Sequence, residues 1–301
     1  MSASVHQGLI DTVASVWPEH KSFLDRTMAG MSADQRETVE RVSDLVLRLA
    51  DGNLQRLIEG YRWMCEMVLE EELPFRRTGA YRYSRFEEVR DRVYFDDVVM
   101  TKYMDGLLLS QVLWANHITV LDNYIRSFVS KSRAGVRHLE VGPGHGLLLY
   151  LAASVPDIRL TGWDVSTTSL DRTRDALLRL RAGREVELLL QSVFEVTPGM
   201  QYDSVVISEV LEHLETPRLA LEGLRDCMTS GARIYVNAPV NSPAVDHIYL
   251  FRTPEDLVDL VRDSGFKVES TCFAPSTGYT EARARKHKTS ISCAVIATKG
   301  A

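Results

Sequence analysis

His138-Leu139-Glu140-Val141-Gly142-Pro143-Gly144-His145-Gly146 decides the reading of this chain. Val136–Val141 reads as a strand, and an apolar helix starts near Leu147. Glycines between a strand and a helix let the backbone turn sharply and let a ligand come close to it. About two dozen residues further on, Asp164 ends a second strand, Ile158–Trp163. An acidic group there can accept both hydroxyls of a ribose. The two features together describe a nucleoside site at a sheet's switch point.

A nicotinamide dehydrogenase would meet much of that description. Two details weigh against it. The loop is G-x-G-x-G rather than the G-x-G-x-x-G that seats a pyrophosphate on a helix N-terminus. Glu140 precedes the first glycine, and a carboxylate suits an ammonium or sulfonium ligand better than a phosphate.

Outward from this loop, β-rich runs alternate with helical ones. Ser169–Leu180 reads as a helix, Val186–Leu190 as a third strand, Tyr202–Ser208 as a fourth and Ala232–Asn237 as a fifth. Pro254–Ser264 reads as another helix. Lys267–Phe273 and Ile291–Thr298 are the last strands, with no helix expected between them and an antiparallel hairpin at the sheet edge. The alternation predicts an α/β fold, a doubly wound and mostly parallel sheet. Upstream, residues 1–130 read as helices throughout. Ser32 and Gln35 form a capping box for a helix closed by Gly52, and a second apolar face from Leu57 is expected to end at Pro74. Ser84 and Glu87 suggest a further capping box. A long helix or helix pair covers Val98 to Val129. The expected division is a helical region, 1–130, serving as a substrate cap or dimerisation element, followed by a ligand-binding domain, 131–301.

Together, the motifs resemble those of the class I S-adenosylmethionine-dependent methyltransferases. The resemblance runs from Glu140-Val-Gly-Pro-Gly-His-Gly146 through Asp164. It continues through Tyr202-Asp203-Ser-Val-Val-Ile-Ser-Glu209-Val-Leu-Glu212-His213-Leu214 to Phe251-Arg-Thr-Pro-Glu-Asp-Leu257 and Gly265-Phe266. It implies the seven-stranded, Rossmann-like methyltransferase sheet and S-adenosylmethionine as cofactor. Gly142 and Gly144 would then pack under the methionine part, with Glu140 near its amino group. Asp164 would bind the ribose and Val165 would border the adenine. Ser192 and Val193 would line the adenine pocket, and Ser208 would lie beside the methionine.

Glu209, Glu212 and His213 stand at i, i+3 and i+4, which on a helix share one face. His247, after the fifth strand, is a candidate fourth group. Carboxylates and imidazoles in such a cluster can hold a divalent metal. The pattern is similar to metal-dependent O-methyltransferases acting on small-RNA termini or in the ubiquinone pathway. There the ion would hold an acceptor hydroxyl and lower its pKa. Without a metal, His247 or His213 is a candidate general base, or simply a structural histidine.

Composition bounds the acceptor. The chain has 301 residues, with 35 Lys and Arg against 41 Asp and Glu, a formal net charge of -6. That balance argues against nucleic acid, which favours cationic surfaces. A small-molecule acceptor with an oxygen or nitrogen nucleophile, in secondary metabolism, is the leading expectation. An RNA 2′-O-methyltransferase and a non-catalytic binding protein are the alternatives. Tyr81, Tyr83, Tyr94, Phe95, Tyr103, Trp114 and His117 could form a lid, although most are read as helical core. Arg283, Arg285, Lys286, His287 and Lys288 form a basic run, read as a solvated turn. Cys65, Cys227, Cys272 and Cys293 are far apart and show no C-x-x-C spacing, so reduced thiols in a cytoplasmic protein are expected. No signal or membrane span is expected, and a homodimer is an open possibility.

Overall fold

The computed structural model describes residues 4–196, 199 and 201–300. Seven helices come first: α1 (Val5–Val16), α2 (Lys21–Gly30), α3 (Ala33–Ala50), α4 (Leu54–Thr78), α5 (Phe86–Val89), α6 (Asp97–Leu113) and α7 (Ala115–Asn123). The sheet domain then runs β1 (Arg137–Val141), α8 (Leu147–Ala152), β2 (Arg159–Asp164), α9 (Thr167–Arg179), β3 (Val186–Leu190) and β4 (Tyr202–Ser208). It ends with α10 (Pro217–Asp226), β5 (Met228–Val240), α11 (Pro254–Asp263), β6 (Phe266–Pro275), α12 (Glu281–His287) and β7 (Ile291–Lys299).

The sheet order is β3-β2-β1-β4-β5-β7-β6. The β1–β2, β2–β3, β1–β4 and β4–β5 pairs are parallel. β7 enters antiparallel between β5 and β6. The expected architecture is therefore present, hairpin included. Successive strands are added in one direction from β1 to β3 and in the other from β4 onward, so the strand order reverses between the parallel neighbours β1 and β4. A crevice opens at the carboxyl ends of strands where such a reversal occurs.

The helices do not form a separate core. Leu9, Val46, Leu57 and Leu109 belong to the same buried cluster as Leu147, Leu160, Tyr235 and Ile296 of the sheet domain. α4 and α6 cross at Gly60 and Gly106, where a Cβ on Gly106 would stand 2.9 Å from the Gly60 carbonyl oxygen. The opposite face of the sheet packs Val205, Ile207 and Val236 against Leu221 of α10 and Leu257 of α11.

Several boundaries differ from the sequence reading. The Ser32 and Gln35 capping box is present, but the left-handed residue closing α3 is Asp51, just before Gly52. Pro74 does not end α4; the helix runs to Thr78 and closes on the left-handed Gly79. Proline costs one backbone hydrogen bond, and burial of Phe75 beyond it holds the last turn in place. The box at Ser84 and Glu87 lies one residue later. Glu88 accepts from the backbone N–H of Ser84 and of Arg85, at 3.1 and 3.0 Å. The apolar stretch from Val98 is a helix pair, broken at Trp114. The basic run is not a simple turn, because α12 fills the β6–β7 connection, capped by Thr280 and braced by a Glu281–Arg285 pair.

Candidate active site

β1 ends at Val141, and the backbone N–H of Gly142 still donates to the Trp163 carbonyl of β2, 2.8 Å away. The chain then swings through left-handed Gly142 (φ 67°) and Gly144 (φ 51°). A side chain would be strained and crowded at both. A Cβ on Gly142 would lie 2.7 Å from Val210 Cγ2, and one on Gly144 would lie 2.9 Å from Met104 Cε of α6.

This turn forms one wall of a cavity of about 430 Å³. Glu140, Gly142, Gly144, Asp164, Val165, Ser192, Val193 and Ser208, the sequence-derived cofactor candidates, all line it. The Asp164 carboxylate is held on both oxygens: Oδ1 accepts from the Ser166 N–H at 2.9 Å, and Oδ2 from Ser169 Oγ at 2.5 Å. Burial pushes its pKa up, and those hydrogen bonds oppose the shift. Glu140 is different. It is 2% exposed, and its Oε2 has no hydrogen-bond partner among the described residues. Burial drives its pKa well above the usual carboxylate range. A buried carboxylate oxygen facing a cavity without a donor costs stability unless a cation or a proton meets it.

The Glu-x-x-Glu-His segment is not a helix. Glu209 is left-handed, with φ 54°. Only Leu211–His213 makes a short 3-10 turn, so the helical-face argument fails. The structure nevertheless brings Glu212, His213 and His247 together, with one ligand-type atom from each lying within 4.8 Å of the others. Glu209 is outside that group. Its carboxylate accepts from Asn237 Nδ2 at 2.8 Å and lies beside Glu212.

The imidazoles are oriented by backbone carbonyls. His213 Nδ1 is 3.0 Å from the Asp246 carbonyl oxygen, and His247 Nδ1 is 2.6 Å from that of Ser242. Each Nδ1 must carry a proton to make its bond, which turns each Nε2 away from its carbonyl anchor and, in a neutral ring, gives it the lone pair. His213 Nε2 is 3.7 Å from Glu212 Oε1. Burial brings the His247 pKa down to about 4. Glu212 is fully buried, and neither oxygen has a donor among the described residues. Burial raises its pKa, and the Glu209 charge raises it further. Two carboxylates can bond each other only if one is protonated; with both ionised, the pair needs a cation. A buried carboxylate grouped with two imidazoles is a donor set that fits a divalent metal.

Residues 139–234 match the family model described as a methyltransferase domain. That stretch therefore carries a methyltransferase domain, on the fold of the class I S-adenosylmethionine-dependent enzymes. Among the solved structures that share this fold are two of similar extent. Magnesium protoporphyrin IX methyltransferase from Synechocystis PCC 6803, solved with bound S-adenosylmethionine, is 17% identical with a TM-score of 0.55. The match covers 71% of this chain and 97% of that one. An O-methyltransferase family protein from Burkholderia thailandensis is 16% identical with a TM-score of 0.56, over 82% and 72% of the two chains. No curated protein matches the methyltransferase in sequence.

Some contributors were not among the sequence-derived candidates. Asp246, Met104 and Phe194 line the cavity. Phe194 carried the one available signal, a large aromatic just past a strand end, and it is 47% exposed. Tyr94, Tyr103 and His117, read mainly as core, also line the cavity, while Trp114 donates to Tyr61 inside the helices. Within the basic run, Arg285 pairs with Glu255 and Glu281 and Arg283 lies over the Tyr279 ring, while Lys286, His287 and Lys288 are exposed. All four cysteines are free thiols. Among the described residues no helix is long and apolar enough to cross a membrane.

Proposed function

We propose that this methyltransferase moves the cofactor's methyl group to an oxygen of a small, mainly apolar acceptor, and that residues 1–130 cap the acceptor. The observation that carries the reading is the continuity of one cavity. It joins Glu140 and Asp164 at one end to His213 and Asp246 at the other, under Tyr103 and Met104 of α6.

Each end has its own role. Glu140 would receive the cofactor's ammonium group, which supplies the cation its buried oxygen lacks. Asp164, pinned by Ser166 and Ser169, would accept the ribose hydroxyls with its remaining lone pairs. Val165 and Val193, with Ser192, would border the adenine, and Ser208 would lie beside the methionine. Glycine at 142 and 144 keeps side chains out of the cofactor's path.

At the other end Glu212, His213 and His247 would hold a divalent ion. Bound there, the ion would supply Lewis-acid polarisation of an acceptor hydroxyl. The protein's own part is orientation. The Ser242 and Asp246 carbonyls fix the imidazoles, and the cap excludes water while nucleophile and methyl carbon align. Oxygen is favoured over nitrogen because a carboxylate and imidazole set suits a hard or borderline ion. The limited cavity volume favours a small acceptor over a polymer.

The test is methyl transfer from labelled S-adenosylmethionine to a panel of phenols, alcohols and amines, before and after chelation. The expected result is labelling of hydroxyl acceptors, lost on chelation and restored by added divalent ion. Full activity in metal-free protein would remove the ion from the reading. Label on amines alone would remove oxygen.

A further inference from the structure

Asp246 precedes His247, and its side chain is 1% exposed. Both carboxylate oxygens are claimed by phenols from the helical region. Tyr94 donates to Oδ2 at 3.2 Å and Tyr103 to Oδ1 at 3.1 Å. On its other side, His213 Nδ1 lies 3.5 Å from Oδ2 and bonds the backbone carbonyl of the same residue. Asp246 therefore stands between two groups of the histidine cluster and two residues more than 140 positions upstream.

Those two residues sit on elements docked over the cavity. Tyr94 ends a π-helical turn in the segment 79–96. That segment is tied to the sheet domain elsewhere as well. Arg252 Nη1 donates to the Gly79 carbonyl, the Ser242 N–H donates to Tyr81 Oη, and the Phe86 N–H donates to Glu215. The Tyr81 ring also meets the His247 ring edge-on, at 5.7 Å. Tyr103 belongs to α6, one residue before the Met104 that covers Gly144.

We infer that Tyr94 and Tyr103 are positioning residues for the Glu212, His213 and His247 cluster, acting through Asp246. The inference rests on the reading of that cluster as a divalent-ion site. A buried carboxylate deprived of its donors must reorient or find others. Asp246 can do so only by moving against His213 or by dragging the backbone that carries His247. Two phenols on one carboxylate prevent both movements. The cap thus helps assemble the ion site as well as covering it. Loss of a group that orients a metal ligand from behind typically costs about 10- to 100-fold in metal affinity.

The test is titration of the full chain with Co2+ alone, read by its visible absorption and by calorimetry, with S-adenosylhomocysteine binding measured in parallel. The variants are Tyr94→Phe, Tyr103→Phe and the double change. Tyr83→Phe is the control, since that phenol lies on the same segment but accepts from Arg92. The double variant is expected to bind Co2+ about 10- to 100-fold more weakly, with an altered spectrum and retained S-adenosylhomocysteine binding. Each single variant should show a smaller loss, and Tyr83→Phe none. Unchanged Co2+ affinity and spectrum in the double variant would overturn the inference and leave the ion site standing. Absence of Co2+ uptake by the unmodified chain would overturn the ion site and the inference with it. Should the double variant lose its fold, the two single variants decide in the same way.

Discussion

The two ends of the cavity are built differently. At the cofactor end Glu140, Gly142, Asp164, Ser192 and Ser208 each sit at or within two residues of the carboxyl end of β1, β2, β3 or β4. Local chain geometry is enough to bring them together once the parallel sheet forms. At the acceptor end Glu212 and His213 come from a 3-10 turn, Asp246 and His247 from the segment after β5, and Tyr94 and Tyr103 from the helical region. A buried carboxylate oxygen without a donor among the described residues stands in the cavity wall at Glu140 and, next to the lining residue His213, at Glu212, which does not itself line the cavity. Glu140 stands alone and calls for a single positive charge. Glu212 stands beside Glu209 and is grouped with His213 and His247, a set that would suit an ion of higher charge. In the proposed reading the same kind of defect would receive two different ligands.

The sharpest way to separate the ends is Glu212→Gln, which keeps shape and removes charge. Divalent-ion uptake and methyl transfer should fall at least about a hundredfold. Affinity for S-adenosylhomocysteine, measured by calorimetry, should hold. Loss of cofactor binding as well would merge the two ends into one site.

The reciprocal change is Glu140→Gln. A hydrogen bond to a charged group contributes about 1.5–3 kcal/mol, so S-adenosylmethionine should bind roughly ten- to a hundredfold more weakly. Co2+ uptake should be unaffected. Equal affinity in the variant would remove Glu140 from the cofactor site.

The same contrast explains what the sequence made legible. Strand periodicity and the glycine loop located β1 to β4, and every cofactor candidate lines the cavity, because each depends on neighbours within a few residues. The acceptor end depends on tertiary packing. Glu209, Glu212 and His213 suggested a helix by spacing alone, but the left-handed Glu209 breaks the chain there, and the convergence on His247 arises from a tight turn meeting a distant loop. Nothing local marks Asp246, whose partners lie in another part of the chain. Pro74 was overridden by burial beyond it. α12 was hidden because its basic residues read as a solvated turn.

Gly106→Ala tests whether the cap serves both ends. The added methyl would meet the Gly60 carbonyl and Met64 Cβ at 2.9 Å. Overpacking of this kind costs about 1–3 kcal/mol, readable as a lower Tm. Because α6 carries both Tyr103 and Met104, ion uptake and cofactor binding should weaken together. A stability loss with both affinities intact would confine the crossing to a purely structural role.

The smallest expected effect lies away from the cavity. The Arg137 guanidinium, 2.9 Å from Asp203, holds that carboxyl well below its usual range. Both partners are partly exposed, so solvent screening limits Asp203→Asn to about 1 kcal/mol. A depressed carboxyl stabilises the fold above the unfolded pKa near 3.9 and ceases to do so as pH falls through the folded value. The native chain and the variant should therefore differ by a constant amount in denaturant melts at neutral pH. The gap should narrow below about pH 4. A gap that persists in strong acid would assign the loss to packing instead. Neither end of the cavity should respond.

The most direct measurement is calorimetric titration of the unmodified chain and of Asp164→Ala with S-adenosylhomocysteine. The account predicts saturable one-to-one heat for the native chain and strongly weakened binding for the variant. No heat from the native chain, or identical isotherms for both, would contradict it.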